Sequence, residues 1–180
     1  MHYKKIVVFG VALILVVMLS GCTWIPTGNL RLMLTDPTDT DLMSVFVNIT
    51  SIEVIKVSDP DNPITVFKGS LIVDLLGVQF PNIKDLGEVE LEEGYYNEFK
   101  ILISKAWAID KDGNNFECNV PPNKFNVAVV DNDTKENSFF TIIGDTNTTV
   151  IIDIEWNEYM ANNPGQRNLN PTGKAFIQTT

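Results

Sequence analysis

Six aspartates in three turn-rich breaks are the candidate ligand or cation contacts: Asp36 and Asp39, Asp59 and Asp61, and Asp110 and Asp112. Carboxylates at alternate positions offer hard oxygen ligands to a cation such as calcium. Asp110-Lys111-Asp112-Gly113-Asn114 sets oxygens at positions 1, 3 and 5, as an EF-hand loop does. Its glycine falls at position 4, however, and position 12 is Pro121 where that loop needs an acid. A hairpin tip between two strands is the stronger reading. Asp36, Asp39 and Asp41 would form another oxygen-rich site with Asp59 and Asp61 if the fold brings those breaks to one end. No particular metal is implied, and no cofactor is expected.

Asp153 and Glu155 would project from one side of a strand, about 6.5–7 Å apart along it. Paired carboxylates at that separation are the machinery of glycoside hydrolysis, although a polar strand face produces such pairs routinely. Other catalytic classes are excluded more firmly. His2 is the single histidine, and it lies in a leader that is expected to be removed. The mature chain then holds neither a Ser–His–Asp nor a Cys–His nucleophile, and no histidine-based zinc or iron site.

That leader begins with Lys4 and Lys5, continues through an apolar run from Ile6 to Leu19, and ends in Leu19-Ser20-Gly21-Cys22. A basic start, an apolar stretch of about 14 residues and small residues before a cleavage point make a secretory signal. The run is shorter than the ~20 residues a membrane-spanning helix needs. Leu-Ser-Gly-Cys resembles the lipobox of bacterial lipoproteins, which implies acylation of Cys22 and cleavage before it. Two or three acyl chains hold a protein stably on a membrane. Residues 23–28 would be a tether of at most ~20 Å. If Cys22 carries lipid, Cys118 is left as a buried thiol.

Of 13 basic side chains, Lys4 and Lys5 leave with the leader, so 11 remain against 23 acidic ones, a net charge of −12. Such a surface repels phosphate backbones, so nucleic acid is not an expected partner. It also disfavours broad contact with anionic lipid, which leaves attachment to the anchor.

Behind the candidate residues lie short segments rich in Val, Ile, Phe and Thr, separated by Asp, Asn, Pro and Gly clusters, which predicts strands. They fall at about 29–35, 44–57, 64–76, 86–92, 96–109, 115–120, 124–130, 138–143, 148–156 and 173–178, some of them pieces of one broken strand. Alternation is clearest in Val150, Ile152, Ile154 and Trp156. Phe99, Ile101, Ile103, Trp107 and Ile109 are expected along one face of another strand, interrupted by Lys105. Val45, Val47 and Ile49 give way to Ile52 and Val54, which predicts a bulge near Thr50-Ser51. No helical periodicity competes.

The order of these segments is similar to a family of lipoprotein domains catalogued as domain of unknown function 4382. The likeness rests on Gly28 to Pro37, where Thr35-Asp36-Pro37 stands for the family's Thr-Asp-Ala-Pro, and on Val45 to Val54, Val73 to Leu76 and Leu91 to Ile101. Val150 to Ile154 and Leu169-Asn170-Pro171 complete it. The resemblance implies an all-β sandwich, Ig-like or transthyretin-like, and no reaction. Gly94 before Tyr95 and Tyr96 predicts a tight turn followed by a tyrosine whose ring is buried and whose hydroxyl finds a partner.

The expected organisation is a signal peptide (1–21), a lipidated cysteine and tether (22–28) and a single antiparallel β-sandwich (29–180). The expected function is that of a non-enzymatic binding or adhesion module. It would be anchored to the cell or outer membrane, face away from the cytoplasm, and contact an envelope protein or polysaccharide. The alternatives are a carboxylate-dependent hydrolase of envelope glycans and an assembly subunit that adds a strand to a neighbour.

Overall fold

Each apolar segment becomes a strand: β1 (Thr27–Thr35), β2 (Ser44–Lys56), β3 (Asp59–Asp74), β4 (Lys84–Glu92), β5 (Gly94–Ile109), β6 (Asn115–Asn119), β7 (Lys124–Val129), β8 (Phe140–Ile142), β9 (Asn147–Met160) and β10 (Arg167–Ile177). The computed structural model describes residues 25–36, 42–79, 82–120, 123–160 and 167–178. A 3-10 turn, Leu75–Val78, follows β3. Among the described residues no helix is long and apolar enough to cross a membrane.

β3 extends beyond its expected range and pairs from Asp59 rather than from about residue 64. Pro60 and Pro63 are tolerated there because β3 is an edge strand, where a missing backbone N–H breaks no ladder bond on its open side.

The strands form one sheet in the order β3-β2-β5-β6-β10-β9-β1-β4, with β7 bridging β10 and β5 and β8 added to β5. The all-β class holds, but the antiparallel sandwich needs correction. β1 runs parallel to β9, and β10 runs parallel to β6 and β7. Because β7 pairs with both β5 and β10, the two halves of the molecule are joined through hydrogen bonds. The sheet therefore curls into a nearly closed, barrel-like wall instead of two separate layers.

Inside the wall, β1 contributes Leu30, Leu32 and Leu34, and β9 contributes Val150, Ile152 and Ile154, all essentially inaccessible to solvent. Full burial of each such side chain stabilises the fold by about 1.5–3 kcal/mol. In β2 the inward set changes from Val45, Val47 and Ile49 to Ile52 and Val54, and its register shifts between Ile49 and Ser51 against both neighbours. This is the bulge expected from the sequence.

Gly94 has φ +154°, and a Cβ there would come within 2.7 Å of Lys56 Cε, so the close β4–β5 turn needs glycine. Two residues on, Tyr96 is fully buried, and its hydroxyl donates to the Glu92 carbonyl at 2.8 Å. Burial, reinforced by the nearby Glu92 charge, pushes that hydroxyl up to about 12. Tyr96→Phe is expected to cost about 1 kcal/mol, read as a lower urea midpoint with unchanged cooperativity. An unchanged midpoint would show that this bond contributes nothing to stability.

The edges at β3 and β4, the two ends of the strand order, are blunted. β4 carries Lys84, Asp85, Glu88, Glu90 and Glu92, and its pairing with β1 shifts near Gly87, which has φ +100°. β3 carries Pro60 and Pro63 and pairs with three register shifts. Charges, prolines and irregular register all disfavour pairing with another chain.

Candidate functional site

The expected aspartates fall into separate places. Asp36 is fully buried at the end of β1, next to Thr35, whose hydroxyl donates to the Val78 carbonyl of the 3-10 turn at 3.0 Å. That turn lies at the start of β2, where the Val45 N–H meets Asp74 Oδ1. Asp59 and Asp61 sit at the other end of β2, where Lys56 faces Asp59. β2 is 13 residues long, which separates Asp36 from Asp59 and Asp61 by about 40 Å at a rise of ~3.3 Å per residue. Asp39 and Asp41, like Cys22, lie outside the described residues.

Asp110 is occupied within its own hairpin. Its Oδ1 accepts the N–H groups of Asp112 and Asn114 at 3.0 and 2.8 Å, and its Oδ2 accepts the Asn114 side-chain amide at 3.0 Å. Gly113, with φ +85°, completes the tight turn expected there. Asp112 is exposed at the tip. Among the described residues no group of three or more acidic, cysteine or histidine side chains is placed to hold a metal ion.

Asp153 and Glu155 do share the outer side of β9. Asp153 faces Thr35 of β1 and Lys174 of β10, while Lys174 Nζ lies 3.3 Å from Glu155 Oε1. Asp153 Oδ1 is buried without a hydrogen-bond partner. Burial, with the Glu155 charge adding and Lys174 opposing, pushes the Asp153 carboxyl up to about 6.

A groove on the outer surface of β3, β2, β5 and β6 combines more recognition chemistry than any of these. Register sets Asp74, Phe46, Trp107 and Glu117 abreast, with Ile72, Asn48 and Lys105 forming the next row. The rings of Phe46 and Trp107 stack at 5.2 Å and 13°. Around them Asn48, Ile72, Lys105, Trp107, Asn115 and Glu117 line a groove of about 420 Å3. Ser70 donates to Asn48 Oδ1 at 2.9 Å. Lys105 Nζ stands 3.7 Å from Glu117 Oε1, with both side chains exposed. A pair so placed contributes little to folding, so both ends can turn towards a ligand.

A second cavity of about 510 Å3 adjoins it and shares Lys105 and Glu117. It opens where β5 exchanges partners, from β7 along Glu98–Leu102 to β6 along Ala106–Ile109. Cys118 borders it and is buried, as expected for an inert thiol.

Trp107 was expected to share a face with Phe99, Ile101 and Ile103. Instead the buried set passes from Ile103 to Ala106 and Ala108, because the β2–β5 register shifts between Asn48 and Ile49, opposite Lys105 and Ile103. One extra residue at Ser104 reverses the strand's faces and turns Trp107 outward. The misplaced charge of Lys105 was the sequence signal of that reversal.

No curated protein matches the chain. Among solved structures it is similar to a leucine-rich repeat protein from Bacteroides thetaiotaomicron, at 14% identity and a TM-score of 0.31 over 69% of this chain. The match spans only 13% of that protein and carries no argument. The family described as "Domain of unknown function (DUF4382)" matches residues 27–171.

Proposed function

Because the chain belongs to the DUF4382 family of domains of unknown function, whose description assigns no reaction, we propose a function from its own surface. It is a lipid-anchored envelope protein, displayed outside the cytoplasm, that binds a neutral polysaccharide in the Trp107 groove and catalyses no reaction. The stacked Phe46–Trp107 pair carries this reading. An aromatic face accepts the apolar C–H face of a sugar ring, while the amides of Asn48 and Asn115 and the charged ends of Lys105 and Glu117 can meet its hydroxyls. A few polar groups converging on an apolar floor are the general design of a small-ligand site. The net charge of −12 in the mature chain disfavours anionic polymers.

Asp153, with its raised carboxyl, is the one feature that favours a hydrolase. Its companion Glu155 faces Lys174, and neither acid lines the groove. Strand addition is disfavoured by the blunted edges of β3 and β4.

Screening the detergent-solubilised lipoprotein against neutral envelope glycans tests the proposal. Trp107→Ala should weaken binding by about 2 kcal/mol, near 30-fold, with little change in the unfolding midpoint. Undiminished affinity would remove the groove as the site. If the unaltered protein retains none of the glycans, the ligand is not a neutral polysaccharide.

A further inference from the structure

We infer that the outer rim formed by Ile25, Val57, Tyr95, Phe139 and Ile143 docks on the lipid bilayer and sets the orientation of the domain. This rests on the lipid-anchor reading of Cys22 given above. The five side chains are between 47% and 55% exposed, although each is apolar or aromatic. Backbone contacts make them neighbours. The Val57 N–H donates to the Tyr95 carbonyl at 2.8 Å, and Tyr95 faces Thr141 in the β5–β8 pairing. Phe139 and Ile143 flank Thr141 two residues to either side, and the Phe139 ring meets the Tyr95 ring edge-on at 4.9 Å. Ile143 is joined to the chain entry, because a Cβ on Gly144 would lie 2.9 Å from Pro26 Cβ, next to Ile25.

The occupant follows from where the chain comes from. Cys22 is three residues before Ile25, a reach of at most ~10 Å. An acyl chain on that cysteine therefore holds this rim, rather than the far end of the domain, against the headgroups. Once the anchor is inserted, rim contact is intramolecular and needs only weak intrinsic affinity. Tyrosine and aliphatic side chains suit the boundary between headgroup and acyl chain. Glu92 and Glu93 close by argue against an electrostatic mode and for a neutral lipid surface. Trp107 lies twelve residues along β5 from Tyr95, which lifts the groove off the bilayer by at most about 40 Å.

The test uses the full lipidated protein on phosphatidylcholine vesicles, with Cys118→Ala and a nitroxide on Ile143→Cys or on Asp112→Cys. Flotation with the vesicles reports the anchor, and relaxation of the nitroxide reports docking. The label at position 143 should lose access to a water-soluble relaxant and gain access to lipid-dissolved oxygen, while the label at position 112 stays aqueous. Tyr95→Ser with Phe139→Ser should return label 143 to water without releasing the protein. Equal aqueous access at both positions on floating protein overturns the docking and leaves the anchor standing. Shielding from both relaxants means that another protein or a second copy covers the rim, which also overturns it. Failure to float overturns the anchor and the docking together.

Discussion

Phe140→Ala is expected to remove about 3–5 kcal/mol of stability, a large fraction of the 5–15 kcal/mol typical of a domain. Phe140 is fully buried, and its ring stacks on Tyr96 at 5.4 Å and on Phe99 at 5.6 Å, with interplanar angles of 18° and 7°. The substitution removes the middle of a three-ring stack and leaves a cavity that strands held in a single hydrogen-bonded wall cannot readily collapse into. β8 is only three residues long, so little else holds it against β5. Urea unfolding would show the midpoint falling with its slope preserved. A loss below about 1 kcal/mol, within the range of ordinary surface substitutions, would mean that the stack does not organise this part of the core. Phe140→Leu, which keeps apolar volume and loses the ring contacts, should fall between the two.

Asp153→Asn is expected to make the protein more stable at neutral pH and to leave it unchanged in acid. In the fold the Asp153 carboxyl titrates at about 6, against about 3.9 in an unfolded chain. Its folded value is the higher one. The stability tied to protonated Asp153 is therefore fully present below about pH 4 and is lost as the pH rises through about 6. A difference of that size corresponds to about 2.9 kcal/mol at most. Asp153 is only half-buried, so screening by water reduces the expected effect to about 1 kcal/mol.

Asp85, lowered by its bond to Arg31, and Asp131, lowered by the Thr134 and Asp133 N–H groups, shift the opposite way. Both remain in the variant and so cancel in the comparison. Urea midpoints of the two proteins should coincide near pH 3.5 and separate by pH 7.5. Parallel pH profiles would show that Asp153 is not the titrating group. Because neither Asp153 nor its neighbours line the Trp107 groove, the substitution should not alter glycan binding.

Local chemistry made much of this protein legible in advance. Apolar alternation and turn clusters located the strands, because inward and outward side chains alternate regardless of which strand lies alongside. The change of phase after Ile49 marked a bulge, and Gly94 with Tyr96 marked a tight turn and a buried ring with a satisfied hydroxyl. The hairpin at Asp110–Asn114 was also readable, since its hydrogen bonds are all made within five residues. Charge and the scarcity of histidine, with His2 alone, limited the chemistry before any fold was known.

What the sequence could not determine was who pairs with whom. The parallel pairings of β1 with β9 and of β10 with β6 and β7 join segments far apart in the chain, and alternation carries no record of the partner. That pairing turned an expected antiparallel sandwich into one curled wall. It also decided the groove. Trp107 reads as a core residue until the extra residue at Ser104 reverses the strand, and only packing of β5 against β2 brings Phe46 beneath it. Side-chain type and spacing are local properties, whereas a binding surface is made where two strand pairs distant in sequence, β2–β3 and β5–β6, come to lie abreast.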